Sequence, residues 1–151
     1  MQGKIIELVE NGVDFSLWRS DSSLSKAAAG QVHFIFFWRL IDWKAVDLRQ
    51  EAFAAVVAQT DAVLEIIGDG NIRGELEAQT ARLGIDSSVV FSGWLSQEEC
   101  ALKLQQADAL VLPSLPEGEG AVVLEVMAVG LPVIATNWAV QGIIGIPFAV
   151  F

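Results

Sequence analysis

The sequence predicts an α/β domain whose parallel sheet is covered by helices on both faces. Three observations carry that expectation. Five short runs rich in Val, Ile, Leu and Phe recur along the chain, helical segments separate them, and the apolar runs are continuous rather than alternating. Strands joined through helical segments imply right-handed βαβ units and a parallel sheet. Continuous apolar strands suit a sheet buried on both sides.

The elements follow in order. VHFIFFW, 32–38, reads as a buried strand, and KAVDLRQEAFAAVVAQ, 44–59, has helical spacing through Val46, Phe53, Val56 and Val57. AVLEIIG, 62–68, is a strand ending at Gly68, and GELEAQTARLG, 74–84, is an amphipathic helix stopped by Gly84, a common C-terminal signal. SVVFSG, 88–93, is a third strand. SQEECALKLQQA, 96–107, opens with Ser96 and Glu99 in capping-box spacing. ALVLPS, 109–114, is the fourth strand, 118–129 a helix, and PVIAT, 132–136, the fifth strand. Residues 1–30 stand outside this rhythm and read as a strand and linker entering the domain, with turn character in NGVDFSLW, 11–18, leaving 31–151 as the domain proper.

Composition narrows the function classes. With 53 % hydrophobic and 19 % charged residues, the 151-residue chain is core-rich and ordered, long enough for one domain. A formal net charge of −10 argues against a nucleic-acid partner. An anionic ligand would need local cations and backbone N–H groups acting against the global field. Cys100 and His33 are each the single residue of their type, so neither an internal disulfide nor a Cys/His zinc site is expected. No secretory leader is apparent in MQGKIIELVENG, and no apolar run reaches the ~18–20 residues of a spanning helix.

Ligands of such sheets bind beyond the carboxyl ends of the strands, and the unusual residues gather there. In PSLPEGEGAVVLEVMAVGLPVIAT, 113–136, Glu125 is the only charge between Ala121 and Ala135. A helix apolar on nearly all sides is buried, and a buried carboxylate needs donors. Either a structural partner or a pair of ligand hydroxyls can supply them. Glu117 precedes the helix in a Pro/Gly loop, where an acid also complements the helix dipole. The two acids lie eight residues apart, roughly 12 Å at the helical rise, about the span between the two sugars of a diphosphate-linked nucleotide sugar. Gly118 and Gly120 would open the helix start, where free N–H groups receive phosphate.

This segment resembles the Glu-x7-Glu motif of retaining glycosyltransferases of the family 4 type (glycosyl transferases group 1), which adopt the GT-B fold. Four further stretches resemble that family in the same order: NGVD at 11–14, WRLIDWKAVD at 38–47, IIGDGNIRGELE at 66–77 and VVFSGWLSQEE at 89–99. The resemblance covers roughly residues 9–138. It implies a Rossmann-like sheet forming part of a GT-B C-terminal domain, truncated at its C-terminus, that binds a UDP- or GDP-type nucleotide-diphosphate sugar as donor substrate, without a further cofactor. Nor does the resemblance imply a metal, since two cations and a helix start can carry a diphosphate's charge.

By the resemblance, Glu125 binds the ribose hydroxyls and Glu117 those of the transferred hexose, while Arg39 and Lys44 bind the diphosphate. Cations there stabilise the charge that develops on the leaving group. Gly68 and Gly70 allow a tight turn and close backbone approach, with Asp69 either capping that turn or touching the ligand. Leu95, with Gly93 and Trp94, lies in the segment beside the base. Departures stand at Trp38 and Ala45, where the family has glycines, and at Glu119, a third acid between Gly118 and Gly120. They keep open the alternative of a degenerate domain that serves only folding or association. A dinucleotide-binding dehydrogenase half fits less well, because GDGNIR lacks the third glycine of that fingerprint.

The resemblance further implies a missing N-terminal acceptor domain and a fragment inactive by itself. It implies a cytoplasmic enzyme of glycan biosynthesis, with peripheral association at the inner membrane face as an option for the full protein. An exposed apolar face and self-association are expected where absent elements would pack.

Overall fold

A computed structural model describes residues 12–21, 30–37, 39–41, 46–112, 120–135 and 149–150. Among these, six strands form one sheet: β1 (Val32–Phe37), β2 (Ala62–Ile67), β3 (Val89–Gly93), β4 (Ala109–Leu112), β5 (Val133–Ala135) and β6 (Ala149–Val150). Their order is β3-β2-β1-β4-β5-β6, and every neighbouring pair is parallel. The helices are α1 (Val46–Val57), α2 (Arg73–Leu83), α3 (Gln97–Gln106) and α4 (Gly120–Ala128). The five expected strands are all present, within one or two residues at their ends. The pairing of β6 with β5 was not foreseen, because a strand of two residues leaves no periodic signal.

This order fixes which helix covers which face. The chain moves outward from β1 through α1 and α2 to β3, then returns through α3 to β4 on the other side of β1. Right-handed crossovers place α1 and α2 on one face and α3 and α4 on the other. Side-chain contacts agree: the Phe34 ring meets Phe53 of α1 edge-on, with centroids 6.2 Å apart, while Glu65, of opposite parity on β2, meets Lys103 of α3. The topological switch point therefore lies between β1 and β4, which are adjacent in the sheet. The connections leaving their carboxyl ends diverge to opposite faces and open a crevice between them.

Local chemistry sets the helix ends. Gly84 closes α2 at φ 67°, with its N–H bonded to Ala81 O, the left-handed cap that glycine adopts without strain. Ser96 and Glu99 form a complete capping box at the start of α3, the side chain of each accepting from the backbone N–H of the other.

The core runs through both layers and includes Ile35, Phe36, Leu64, Ile66, Leu104, Leu110 and Val126. The entering segment joins it. Asp14 nucleates a turn by accepting from Ser16 N and Oγ, and Leu17 and Trp18 donate to its carbonyl. Trp18 is buried to 2 % exposure, and Asp21 N donates to Gln105 Oε1 at the end of α3. The turn was legible in the sequence, but the core role of Trp18 was not. Among the described residues no helix is long and apolar enough to cross a membrane.

Candidate functional site

The carboxyl ends of β1, β2 and β3 are tied together by backbone hydrogen bonds. Leu40 N donates to Asp69 O (3.0 Å), Ile72 N to Leu40 O (3.4 Å), and Gly68 N to Gly93 O (2.8 Å). Leu40 itself is fully buried. The turn after β2 approaches so closely that a Cβ on Gly70 would lie 2.0 Å from the Leu40 carbonyl oxygen; only glycine fits. Gly93 takes φ 69°, a left-handed conformation that redirects the chain into Trp94 and Leu95.

Side chains reinforce this turn. Asp69 Oδ1 accepts from Gly70 N at 2.7 Å and Oδ2 pairs with Arg73 Nη1 at 3.1 Å. Arg73 Nε also reaches Glu77 at 2.8 Å, and the guanidinium lies 6.0 Å from the Phe91 ring centroid. Of the two roles open to Asp69, capping is the one its geometry displays, since both oxygens are engaged within the protein.

The structure thus gathers Arg39, Gly68, Gly70 and the Gly93–Leu95 turn at one edge of the sheet. Arg39 is exposed, and no carboxylate among the described residues pairs with it. Trp94 is 61 % exposed and Leu95 half-buried. Gly120 opens α4, on the far side of the switch point from Arg39. Glu117, Gly118, Lys44, Trp38, Ala45 and Glu119 lie outside the described residues.

Glu125 occupies the middle of α4, flanked by Val122, Val123, Val126 and Val129, all buried. From 122 to 129 no residue is exposed, as the apolar pattern anticipates. Burial pushes the Glu125 carboxyl above its ordinary value. Glu125 itself is half-buried, short of the full burial its apolar surroundings in the sequence suggest, and among the described residues no donor reaches it. Its charge is felt at Cys100 on α3, whose thiol is pushed up to about 11, first by burial and then by Glu99 and Glu125.

A second buried acid behaves in the opposite way. Glu65 on β2 is 3 % exposed and receives Ser92 Oγ at 2.5 Å, Lys103 Nζ at 2.8 Å and His33 Nε2 at 3.1 Å. A register shift between β2 and β3 makes Ser92 the extra residue, with Ile66 opposite Phe91 and Ile67 opposite Gly93. Burial raises the Glu65 carboxyl, but its three donors and the Lys103 charge overcome this and hold it at about 2. This cluster was missed in the sequence, although a lone charge in AVLEIIG is the same signal that marks Glu125.

An apolar cleft lies elsewhere. Phe34, Phe53, Val56, Leu64, Val111 and Ile134 line an open apolar hollow of about 210 Å³ on the α1 side of the sheet, containing none of the candidate residues. No group of His, Cys, Asp and Glu among the described residues could hold a metal ion.

A parallel sheet with its switch point between β1 and β4, bearing these turns at its carboxyl edge, defines a Rossmann-like α/β domain. Comparison with known proteins narrows this further: the profile of the family described as Glycosyl transferases group 1 matches residues 31–147, and the chain belongs to that family. It is similar to an uncharacterized glycosyltransferase of Methanocaldococcus jannaschii, 33 % identical over 103 residues, which are 68 % of this chain and 26 % of that protein. It is also similar to alpha-monoglucosyldiacylglycerol synthase of Streptococcus pneumoniae, 40 % identical over 85 residues, or 56 % of this chain and 19 % of that one. Among solved structures, Anabaena HepE in complex with UDP and glucose superposes with a TM-score of 0.80 at 25 % identity, covering 96 % of this chain and 42 % of that one. The chain spans about a quarter or less of these two curated relatives.

Proposed function

We propose that this domain binds the nucleotide-diphosphate-sugar donor of a glycosyltransferase that moves a hexose with retention. The observation that carries the reading is Glu125: a half-buried carboxylate with its pKa raised by burial and no donor among the described residues, on the helix that leaves β4 at the switch point. Such a group is an acceptor awaiting hydroxyls, and both oxygens of a carboxylate can accept from a vicinal diol.

In this reading the ribose hydroxyls donate to Glu125 and hydroxyls of the hexose donate to Glu117. The diphosphate lies across the crevice, between the N–H groups opening α4 and the cations Arg39 and Lys44. During transfer the anomeric C–O bond to the diphosphate breaks, the diphosphate takes the electron pair, and the acceptor oxygen bonds on the same face. Arg39 and Lys44 stabilise the charge appearing on the leaving group. The acceptor hydroxyl must be placed and water excluded, and nothing in these 151 residues is assigned to either task. The domain alone is therefore expected to bind donor without turning it over. UDP suits it as the first ligand to try, since HepE was solved with UDP.

Calorimetric titration with UDP, GDP and ADP tests the reading. Saturable heat with one of them, at about millimolar affinity or tighter, supports it. No heat with any of the three overturns it. Heat seen only in Trp38→Gly would instead identify a degenerate domain.

A further inference from the structure

The Gly68–Arg73 turn touches both the segment that carries Arg39 and the turn that carries Trp94 and Leu95. We infer that this turn is a positioning device: Gly70 and Asp69, without contacting the donor, fix the Arg39 backbone at the phosphate side of the crevice. The inference rests on the donor-binding reading above and assigns residues within it.

Three features carry it. The first is steric. A Cβ on Gly70 would sit 2.0 Å from the oxygen, 2.7 Å from the carbonyl carbon and 3.0 Å from the Cα of Leu40. These are backbone atoms, which cannot swing aside as a side chain can, so the approach is specific to the segment next to Arg39. The second is hydrogen bonding. Leu40 is held at both its N–H and its C=O by Asp69 and Ile72, and its side chain is fully buried. Arg39, one residue earlier, is exposed, so a fixed backbone at residue 40 defines where an otherwise free guanidinium can reach. The third is the carboxylate of Asp69. It cannot serve an anionic ligand, and both its oxygens are spent on the turn: Oδ1 on Gly70 N, Oδ2 on Arg73. Arg73 in turn packs 3.4 Å from where a Gly93 Cβ would stand, and Gly68 N bonds Gly93 O. The same turn therefore sets the spacing between the phosphate side and the Trp94–Leu95 side.

An acid beside a diphosphate site gives the test its direction. By electrostatics alone, removing Asp69 lowers the repulsion and tightens UDP binding. If Asp69 positions Arg39, removing it weakens UDP binding despite the gain in charge balance. Uridine, which lacks the phosphates, reports the base and ribose contacts separately.

The experiment is NMR chemical-shift titration of the 151-residue chain with UDP and with uridine, in the wild type, Gly70→Ala and Asp69→Ala, with far-UV circular dichroism as a check on folding. The wild type is expected to prefer UDP over uridine. Both variants are expected to lose about tenfold or more in UDP affinity, while uridine affinity stays within about twofold. If Gly70→Ala does not fold, Asp69→Ala decides alone. Unchanged or tighter UDP binding by folded Asp69→Ala overturns the positioning role and leaves the donor-binding reading intact. A wild type that prefers none of UDP, GDP and ADP over the matching nucleoside overturns the donor-binding reading and the inference with it.

Discussion

Two glutamates in apolar surroundings, Glu65 in β2 and Glu125 in α4, have opposite fates. Glu65 is enclosed by the protein and answered by it: a serine, a lysine and a histidine converge on its two oxygens and hold its pKa at about 2. Glu125 is half-buried and left unanswered among the described residues, and burial raises its pKa. Burying a carboxylate costs free energy unless donors compensate. At Glu65 the compensation is internal, which identifies a structural element. At Glu125 no described group compensates, and under the proposed function the donor's hydroxyls do so.

The sharpest way to break this contrast is Glu65→Leu. It strands Lys103, His33 and Ser92 together, and a loss of about 3 kcal/mol in urea unfolding is expected, with UDP affinity unchanged. Acid reads the same cluster. A carboxyl depressed from 4.5 to about 2 contributes stability that is fully present above pH 4.5 and is lost as pH falls through about 2; on the order of 3 kcal/mol should disappear over that window. A flat stability profile there would show that the cluster is not coupled to folding.

Glu125→Gln should behave conversely. Unfolding stability is expected to hold or rise, because no described donor is lost and a half-buried, desolvated charge is removed. Donor affinity is expected to fall about 10- to 100-fold, the worth of one or two hydrogen bonds to a charged acceptor. Calorimetry and urea unfolding on the same variant check both halves. The pH dependence of donor binding follows from the raised carboxyl: hydroxyls donate to its ionised form, so UDP affinity should decline as pH falls through a value above 4.5, while Glu65 is still fully ionised. The smallest effect belongs to Ser92→Ala. Lys103 and His33 remain on Glu65, so about 1 kcal/mol of stability is expected to be lost, measurable by the shift in urea midpoint.

Much of the fold was legible because its signals are local. The continuous apolar strands, the capping box at Ser96 and the glycine stop at Gly84 each act within a few residues. The parallel sheet followed from the alternation of elements. What the sequence could not reveal depends on contacts between distant residues. Nothing near Gly70 says that it faces the Leu40 carbonyl, thirty positions earlier, and nothing in NGVDFSLW says that Trp18 enters the core. The candidate site was legible as a set of strand ends. Glu125 stood out as a lone charge in an apolar helix. Glu65 stood in an equally apolar strand and was passed over; only the bulge that delivers Ser92 and the reach of Lys103 from α3 separate the two cases.

The claim that Glu125 awaits ribose hydroxyls is tested most directly by comparing UDP with its 2′-deoxy counterpart, in the wild type and in Glu125→Gln, by isothermal titration at neutral pH. The wild type should bind UDP about tenfold more tightly than 2′-deoxy-UDP, and Glu125→Gln should bind the two nearly equally. Equal binding of both ligands by the wild type, or undiminished discrimination in the variant, would contradict it.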